Sequence, residues 1–202
     1  AVAARWDVEF VILSCREDFD HFERLELMHI ANRFARVRYE AIDDLIVPGL
    51  FSVTLTLAYM RGVTLFGDAM TQSHFLFWNA DFVLSAGAMT WLAEEIAADR
   101  KVILAGSLRV VSEDVEDLLD ARMLRDGTLS LTGRELTALA MAHPHRLQLA
   151  KTVNQDGPWA GSPNHMFWTV GDNAVVARFW QIFMLCLKPT RVLAAIDGYC
   201  DY

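Results

Sequence analysis

Residues 75–85, FLFWNADFVLS, set one polar triplet, Asn79-Ala80-Asp81, inside an otherwise apolar, strand-like run. A carboxylate flanked by Phe and Trp must find a partner or lose its charge, because an unpaired ionised group is strongly disfavoured away from water. Either the triplet is an Asx-type turn at a strand end, or it holds a ligand. In an extended chain Asn79 and Asp81 project to the same side. Oxygen-bearing side chains at that spacing can grip a ribose or a hard cation. Magnesium and manganese prefer oxygen, and in nucleotide sites they often take only one or two ligands from the protein while phosphate and water complete the shell.

The chain around this run alternates short apolar segments with helical periodicity. VEFVILS (8–14) is rich in β-branched residues, and the following segment 19–34 repeats its apolar residues at near-helical spacing. ARVRYEAID reads as a second strand (37–42) that ends at Asp43-Asp44, and Pro48-Gly49 precedes an apolar helix reaching about Met60. Residues 75–79 and 101–105 are expected strands, with SLRVV extending the latter after a turn at Gly106, and 87–98 is an expected helix. Ser112 followed by Glu113 and Asp114 reads as an N-cap with acids in the first helical turn. The stretch 115–150 is helical with breaks near Gly127 and Pro144. A strand–helix–strand unit implies a parallel pair with a right-handed crossover. The fold class expected is therefore α/β, with a central, mainly parallel sheet flanked by helices and a mixed-strand annex.

At 202 residues one domain is favoured over two very small ones. A net charge of −8 argues against a general polyanion binder, so nucleic acid is not an expected partner. Cys15, Cys186 and Cys200 lack CxxC spacing and sit among apolar residues, which reads as buried free thiols in a reducing, cytoplasmic setting. No segment approaches the roughly 20 consecutive apolar residues of a membrane helix, and the first residues lack a signal-peptide pattern. A chain without an initiator Met that ends at IDGYCDY reads as a piece of a longer one.

The order of a first strand ending in ILSC, a second ending in AIDD, and an apolar strand running into NAD and then FVLS resembles the nucleotide-sugar-binding half of GT-A-fold glycosyltransferases. The hallmark of that family is an Asp-x-Asp triplet at the end of a central strand, and Asn79-Ala80-Asp81 looks like its variant with Asn first. The resemblance covers residues 8–111 in order of elements, with a looser echo in ARFWQIFMLCLKP and IDGYCDY. It implies a single GT-A-like, Rossmann-like domain over 1–202, with a donor half (1–111) and an acceptor-side half (112–202). It also implies that Asp81 ligates Mn²⁺ or Mg²⁺ and that Asn79 contacts the ribose or, through water, the metal. Ser14, Cys15 and Arg16 would then border base and ribose, and Asp43 would accept a hydrogen bond from either. Ligands of open α/β sheets sit beyond the carboxyl ends of strands, in agreement with these placements. The bland alternative for Asp43-Asp44 is a solvated helix cap. The Asn at position 79 bears on metal dependence, not on sugar-nucleotide binding.

Inverting transfer needs a base for the acceptor hydroxyl, whereas retaining transfer does not require one. Glu113 and Asp114 resemble the acidic base motif of inverting members and fit a helix N-terminus equally well. His165, in the loop WAGSPNHMFW, is a candidate third metal ligand or acceptor contact, against a purely structural role. Lys188 and Arg191 around Pro189 are positioned to reach a diphosphate or to cap a helix. His143 and His145, either side of Pro144, have no recognised metal spacing. The resulting function is a glycosyltransferase that moves a sugar from a nucleotide-diphosphate sugar to a glycan or glycolipid hydroxyl in bacterial surface glycan synthesis, with room for peripheral membrane contact. The alternative is a non-catalytic GT-A-like domain that binds a glycan or scaffolds an assembly. A Rossmann dinucleotide enzyme or a P-loop enzyme is disfavoured, because neither GxGxxG nor GxxxxGK[ST] is present.

Overall fold

A computed structural model of the chain describes residues 6–79, 81–124, 128–161, 165–178 and 184–192. The first apolar run becomes β1 (Glu9–Ser14), which pairs in parallel with β2 (Arg36–Ala41), Glu9 standing opposite Arg36 and Ser14 opposite Ala41. Arg36 Nη2 lies 3.4 Å from Glu9 Oε2 and 3.0 Å from Asp7 Oδ2, so unlike charges meet across the pair.

The connection is two short helices, α1 (Phe19–Glu23) and α2 (Glu26–Ala31), and not the one helix expected over 19–34. Leu25 is extended, with φ −72° and ψ 129°, and its N–H closes on Phe22 O at 3.0 Å, which ends α1. The break lets Phe19 and Phe22 pack on Tyr39 of β2, at centroid separations of 5.3 and 6.4 Å, while α2 buries Met28. Helix α3 (Phe51–Thr64) runs past β1 so closely at Gly62 that a Cβ there would stand 3.4 Å from Leu13 Cδ1.

The next elements are β3 (Phe75–Phe77), α4 (Ala88–Ala97), β4 (Val102–Ala105), α5 (Ser112–Asp120), α6 (Gly133–Ala142) and α7 (Arg146–Leu149). They are followed by β5 (Met166–Thr169), β6 (Val175–Arg178) and β7 (Met184–Leu187). Helix α6 opens with a capping box: Thr132 Oγ1 accepts from Glu135 N, and Glu135 Oε2 accepts from Thr132 N at 2.7 Å. Strands β5 and β6 form an antiparallel hairpin whose turn needs the left-handed φ of 93° that Gly171 supplies.

The chain is mixed α/β as expected, but among the described residues its strands are distributed over three small sheets and not gathered into one. These are β1-β2, β3-β7-β4 and β5-β6. The physical reason is length: β3 has three residues and β4 four, too few ladder bonds to carry a continuous sheet. The expected strand 75–79 thus stops at Phe77, before Asn79. SLRVV does not continue β4; within it, Val110 makes an isolated bridge to Pro144.

The chain resolves into two compact units. One runs through Phe77 and takes in Ile96–Lys101 and the stretch from Cys186; its core holds Met28, Val53, Ala58, Val63, Met70 and Cys186. The other comprises Trp78–Glu95 and Val102–Leu185, with Leu92, Ile103, Val115, Leu131, Ala140 and Phe167 at its centre. No helix among the described residues is long and apolar enough to cross a membrane.

Candidate functional site

In the first unit the parallel pair ends with its carboxyl termini side by side, and this brings together four residues expected at a donor site. Ser14 Oγ donates to Asp18 Oδ2 at 2.6 Å, Cys15 begins a short helical turn, and Arg16 N donates to Asp43 Oδ2 at 3.1 Å. Desolvation, and then the negative charges of Asp43, Asp18 and Glu17, push the Cys15 thiol up, so it stays protonated at neutral pH. The neighbour Asp44 has a different task. Its two oxygens accept from Arg61 Nη1 and Nη2 at 2.7 and 2.6 Å, and Arg61 Nη1 also donates to Ala41 O at 2.7 Å. That fork ties α3 to the end of β2 and holds the Asp44 carboxyl below the usual range, through the Arg61 hydrogen bond first. Of the two acids, Asp44 anchors the fold while Asp43 braces the backbone of the β1 loop.

In the second unit Asp81, after β3, is an exposed acid in a turn. Phe82 N donates to Asn79 O at 3.2 Å, closing the turn, and Asp81 is exposed. Asp81 lines a cleft of about 800 Å³ whose other walls include Ser85, Trp91, Ser107, Thr137 and Val175. The cleft is mostly apolar, the usual character of a pocket that binds a small molecule, with a few polar groups to orient it. Among the described residues no three His, Cys, Asp or Glu side chains gather into a ready metal cage. One oxygen donor such as Asp81 suits a hard cation that phosphate and water also ligate, and does not suit a structural metal held by protein alone.

Glu113 and Asp114 stand exposed in the first turn of α5, one residue further into the helix than expected: Val111 is the N-cap and Ser112 the first helical residue. Glu113 accepts from its own backbone N–H and from Ser112 Oγ at 3.1 Å, and both bonds hold its carboxyl below the usual range. Asp114 Oδ2 lies 3.8 Å from His143 Nδ1, and His145 Nδ1 accepts from Leu147 N at 3.2 Å, so neither imidazole is set for a metal through that nitrogen.

His165 is buried, 5% exposed, and its Nδ1 lies 3.0 Å from Lys151 Nζ. Lysine has donors and no acceptor when charged, so Nδ1 takes the hydrogen bond and the ring proton sits on Nε2. A cation already held at Nδ1 opposes metal ligation through that atom. Burial lowers the pKa of His165, and the Lys151 and Arg109 charges lower it further. Lys151 is lowered by its own burial and then by Arg109.

Lys188 is paired with an acid. Its Nζ donates to Asp99 Oδ1 at 2.8 Å, and Lys101 Nζ donates to Asp99 Oδ2 at 2.5 Å. Lys188 and Asp99 are 89 positions apart, so sequence spacing could not have exposed the pairing. The Lys101 and then the Lys188 hydrogen bond bring Asp99 down to about 2, from an ordinary value of 3.8. A depressed carboxylate contributes stability that is present above its unfolded pKa and lost as pH falls through the folded one. Proton-detected titration is therefore expected to show Asp99 protonating near pH 2, and Lys188→Ala should move its midpoint up toward 3.8. An unchanged midpoint in that variant would rule the pairing out.

Sequence reasoning missed Lys151 and Arg109. The signal was available: each is a lone cation in an apolar run, SLRVV for Arg109 and LQLAKTV for Lys151, as unusual there as Asp81 is in its own. Cys186 is a buried free thiol and Cys15 a half-buried one, as expected, while Cys200 lies outside the described residues, as do most of RFWQIF and all of IDGYCDY. No family model, curated protein or solved structure matches this chain.

Proposed function

We propose that the chain is a GT-A-type glycosyltransferase that moves a sugar from a nucleoside-diphosphate donor to a hydroxyl of a glycan or glycolipid, in bacterial surface glycan synthesis on the cytoplasmic side of the membrane. The observation that carries this reading is the gathering of Ser14, Cys15, Arg16 and Asp43 at the carboxyl ends of a parallel strand pair, where open α/β sheets take their ligands. Asp43 accepts from base or ribose, and the β1 loop borders the nucleoside. In the second unit, taken by itself, Asp81 and Asn79 would hold Mn²⁺ or Mg²⁺ together with diphosphate oxygens, and that ion would offset charge on a leaving diphosphate. The apolar cleft lined by Asp81 and Trp91 offers a wall for a sugar or a lipid-linked acceptor. Glu113 and Asp114, exposed and acidic, are the bases available for deprotonating the acceptor in an inverting reaction.

Asp43→Ala tests the donor assignment. Loss of a hydrogen bond to a charged group costs about 1.5–3 kcal/mol, so donor affinity should weaken roughly tenfold or more while circular dichroism stays unchanged. Equal donor affinity in calorimetry would remove Asp43 from the site. A second reading, a non-catalytic GT-A-like domain that binds a glycan or scaffolds an assembly, is favoured by one observation: Asn79 stands where the family has a carboxylate, and its carbonyl closes a turn.

A further inference from the structure

We propose that Lys151 and Arg109, with His165 positioning the lysine, form an anion site in the second unit that takes a phosphoryl group on fixed side-chain charge. The backbone assembles it. Thr152 and Phe167 form a parallel bridge, with Phe167 N donating to Lys151 O at 3.0 Å and Val153 N to Phe167 O at 2.8 Å, which sets Lys151 beside the residue that precedes β5, His165. Arg109 is tied to the same short helix, α7, from both of its backbone groups. Arg109 N donates to the buried Gln148 Oε1 at 3.4 Å, and Arg109 O accepts from His145 N at 3.0 Å. Thr152 Oγ1 in turn donates to Gln148 O at 3.0 Å, closing the support.

Two cations and an imidazole thus share one neighbourhood, and among the described residues no carboxylate pairs with either cation. Burial and then the Arg109 charge lower the pKa of Lys151, and burial and then the Lys151 and Arg109 charges lower that of His165. Like charges kept close without an acid are mutually unfavourable. A phosphoryl anion reverses that sign. It would accept from the Lys151 ammonium, of whose three N–H donors the His165 ring takes one, and from the exposed Arg109 guanidinium, whose planar fork matches phosphate oxygens. His165 acts through Lys151, fixing where the ammonium points. Such a site meets diphosphate charge with side chains and needs no divalent ion, which distinguishes it from the role given to Asp81.

The phosphoryl group can come from a free phosphate species or from a nucleoside diphosphate, and titration calorimetry of the full chain in EDTA, with inorganic pyrophosphate in one arm and uridine diphosphate in the other, separates the two. Binding in at least one arm is expected, with Lys151→Met and Arg109→Gln each weakening it tenfold or more. His165→Ala should weaken it less, and His165→Asn, which restores an acceptor for Lys151, should recover part of that loss. Binding in both arms assigns the site to the phosphoryl group itself, and binding of uridine diphosphate alone assigns it to the nucleotide. No binding in either arm overturns the proposal, and so does wild-type affinity in Arg109→Gln, whose exposed side chain can be removed without disturbing the core. Pyrophosphate binding in a protein that turns over no nucleotide sugar would leave this site standing while the transferase reading fell.

Discussion

Asp81→Ala is expected to lower sugar transfer roughly a thousandfold, because metal-assisted charge stabilisation supplies several kcal/mol and each ~1.4 kcal/mol is a factor of ten. The side chain is exposed in the turn that follows β3, so its removal leaves no buried partner unsatisfied, and the thermal midpoint should stay where it is. The loss should fall on kcat more than on donor affinity, since in the proposed reaction the carboxylate would matter most as charge builds on the leaving diphosphate. Turnover equal to the wild type at saturating donor and Mn²⁺ would take Asp81 out of the reaction. A parallel drop in thermal stability would reassign it to the fold.

The largest expected effect on stability belongs to Phe167→Ala. Phe167 is 1% exposed at the centre of the second unit, its backbone brackets Thr152, and its ring lies 5.6 Å from that of His165. Emptying such a position costs about 3–5 kcal/mol, as lost transfer energy plus the cavity left behind. Urea unfolding should show the midpoint falling at nearly constant slope. A cost under about 1 kcal/mol would mean that the second unit does not close around this ring.

What could be read from sequence was governed by local chemistry. The β-branched runs at Phe10–Leu13 and Val102–Leu104 became strands because their pattern is set within a few residues, and the helical crossover over residues 15–35 suits the parallel pairing of β1 and β2. The meeting of Asp43 with the β1 loop was legible for the same reason, since a parallel pair puts both strand ends together. The break at Leu25 was not, because Phe22, Leu25 and Met28 repeat at three-residue spacing straight across it, while in the fold Phe19 and Phe22 pack on Tyr39. Nor was the fate of the cations. Lys188 read as a diphosphate contact or a helix cap next to Pro189, and only the fold brings Asp99 to it. Lys151 and His165, 14 residues apart, meet through the bridge between Thr152 and Phe167, a contact without periodicity on either side. Apolar period reveals which face is buried, whereas charge pairing depends on which segments fold back on each other.

Whether a nucleotide sugar is the substrate of this chain is decided by nucleoside-diphosphate release from a panel of UDP-, GDP- and CMP-linked sugars with Mn²⁺, with and without hydroxyl acceptors (nucleoside monophosphate for the CMP donors). Turnover of at least one diphosphate-linked donor is expected, with a rise on adding the matching acceptor and loss of that turnover in Asp81→Ala. A panel in which no donor is turned over, and none raises the thermal midpoint of the protein, would rule out a nucleotide-sugar substrate.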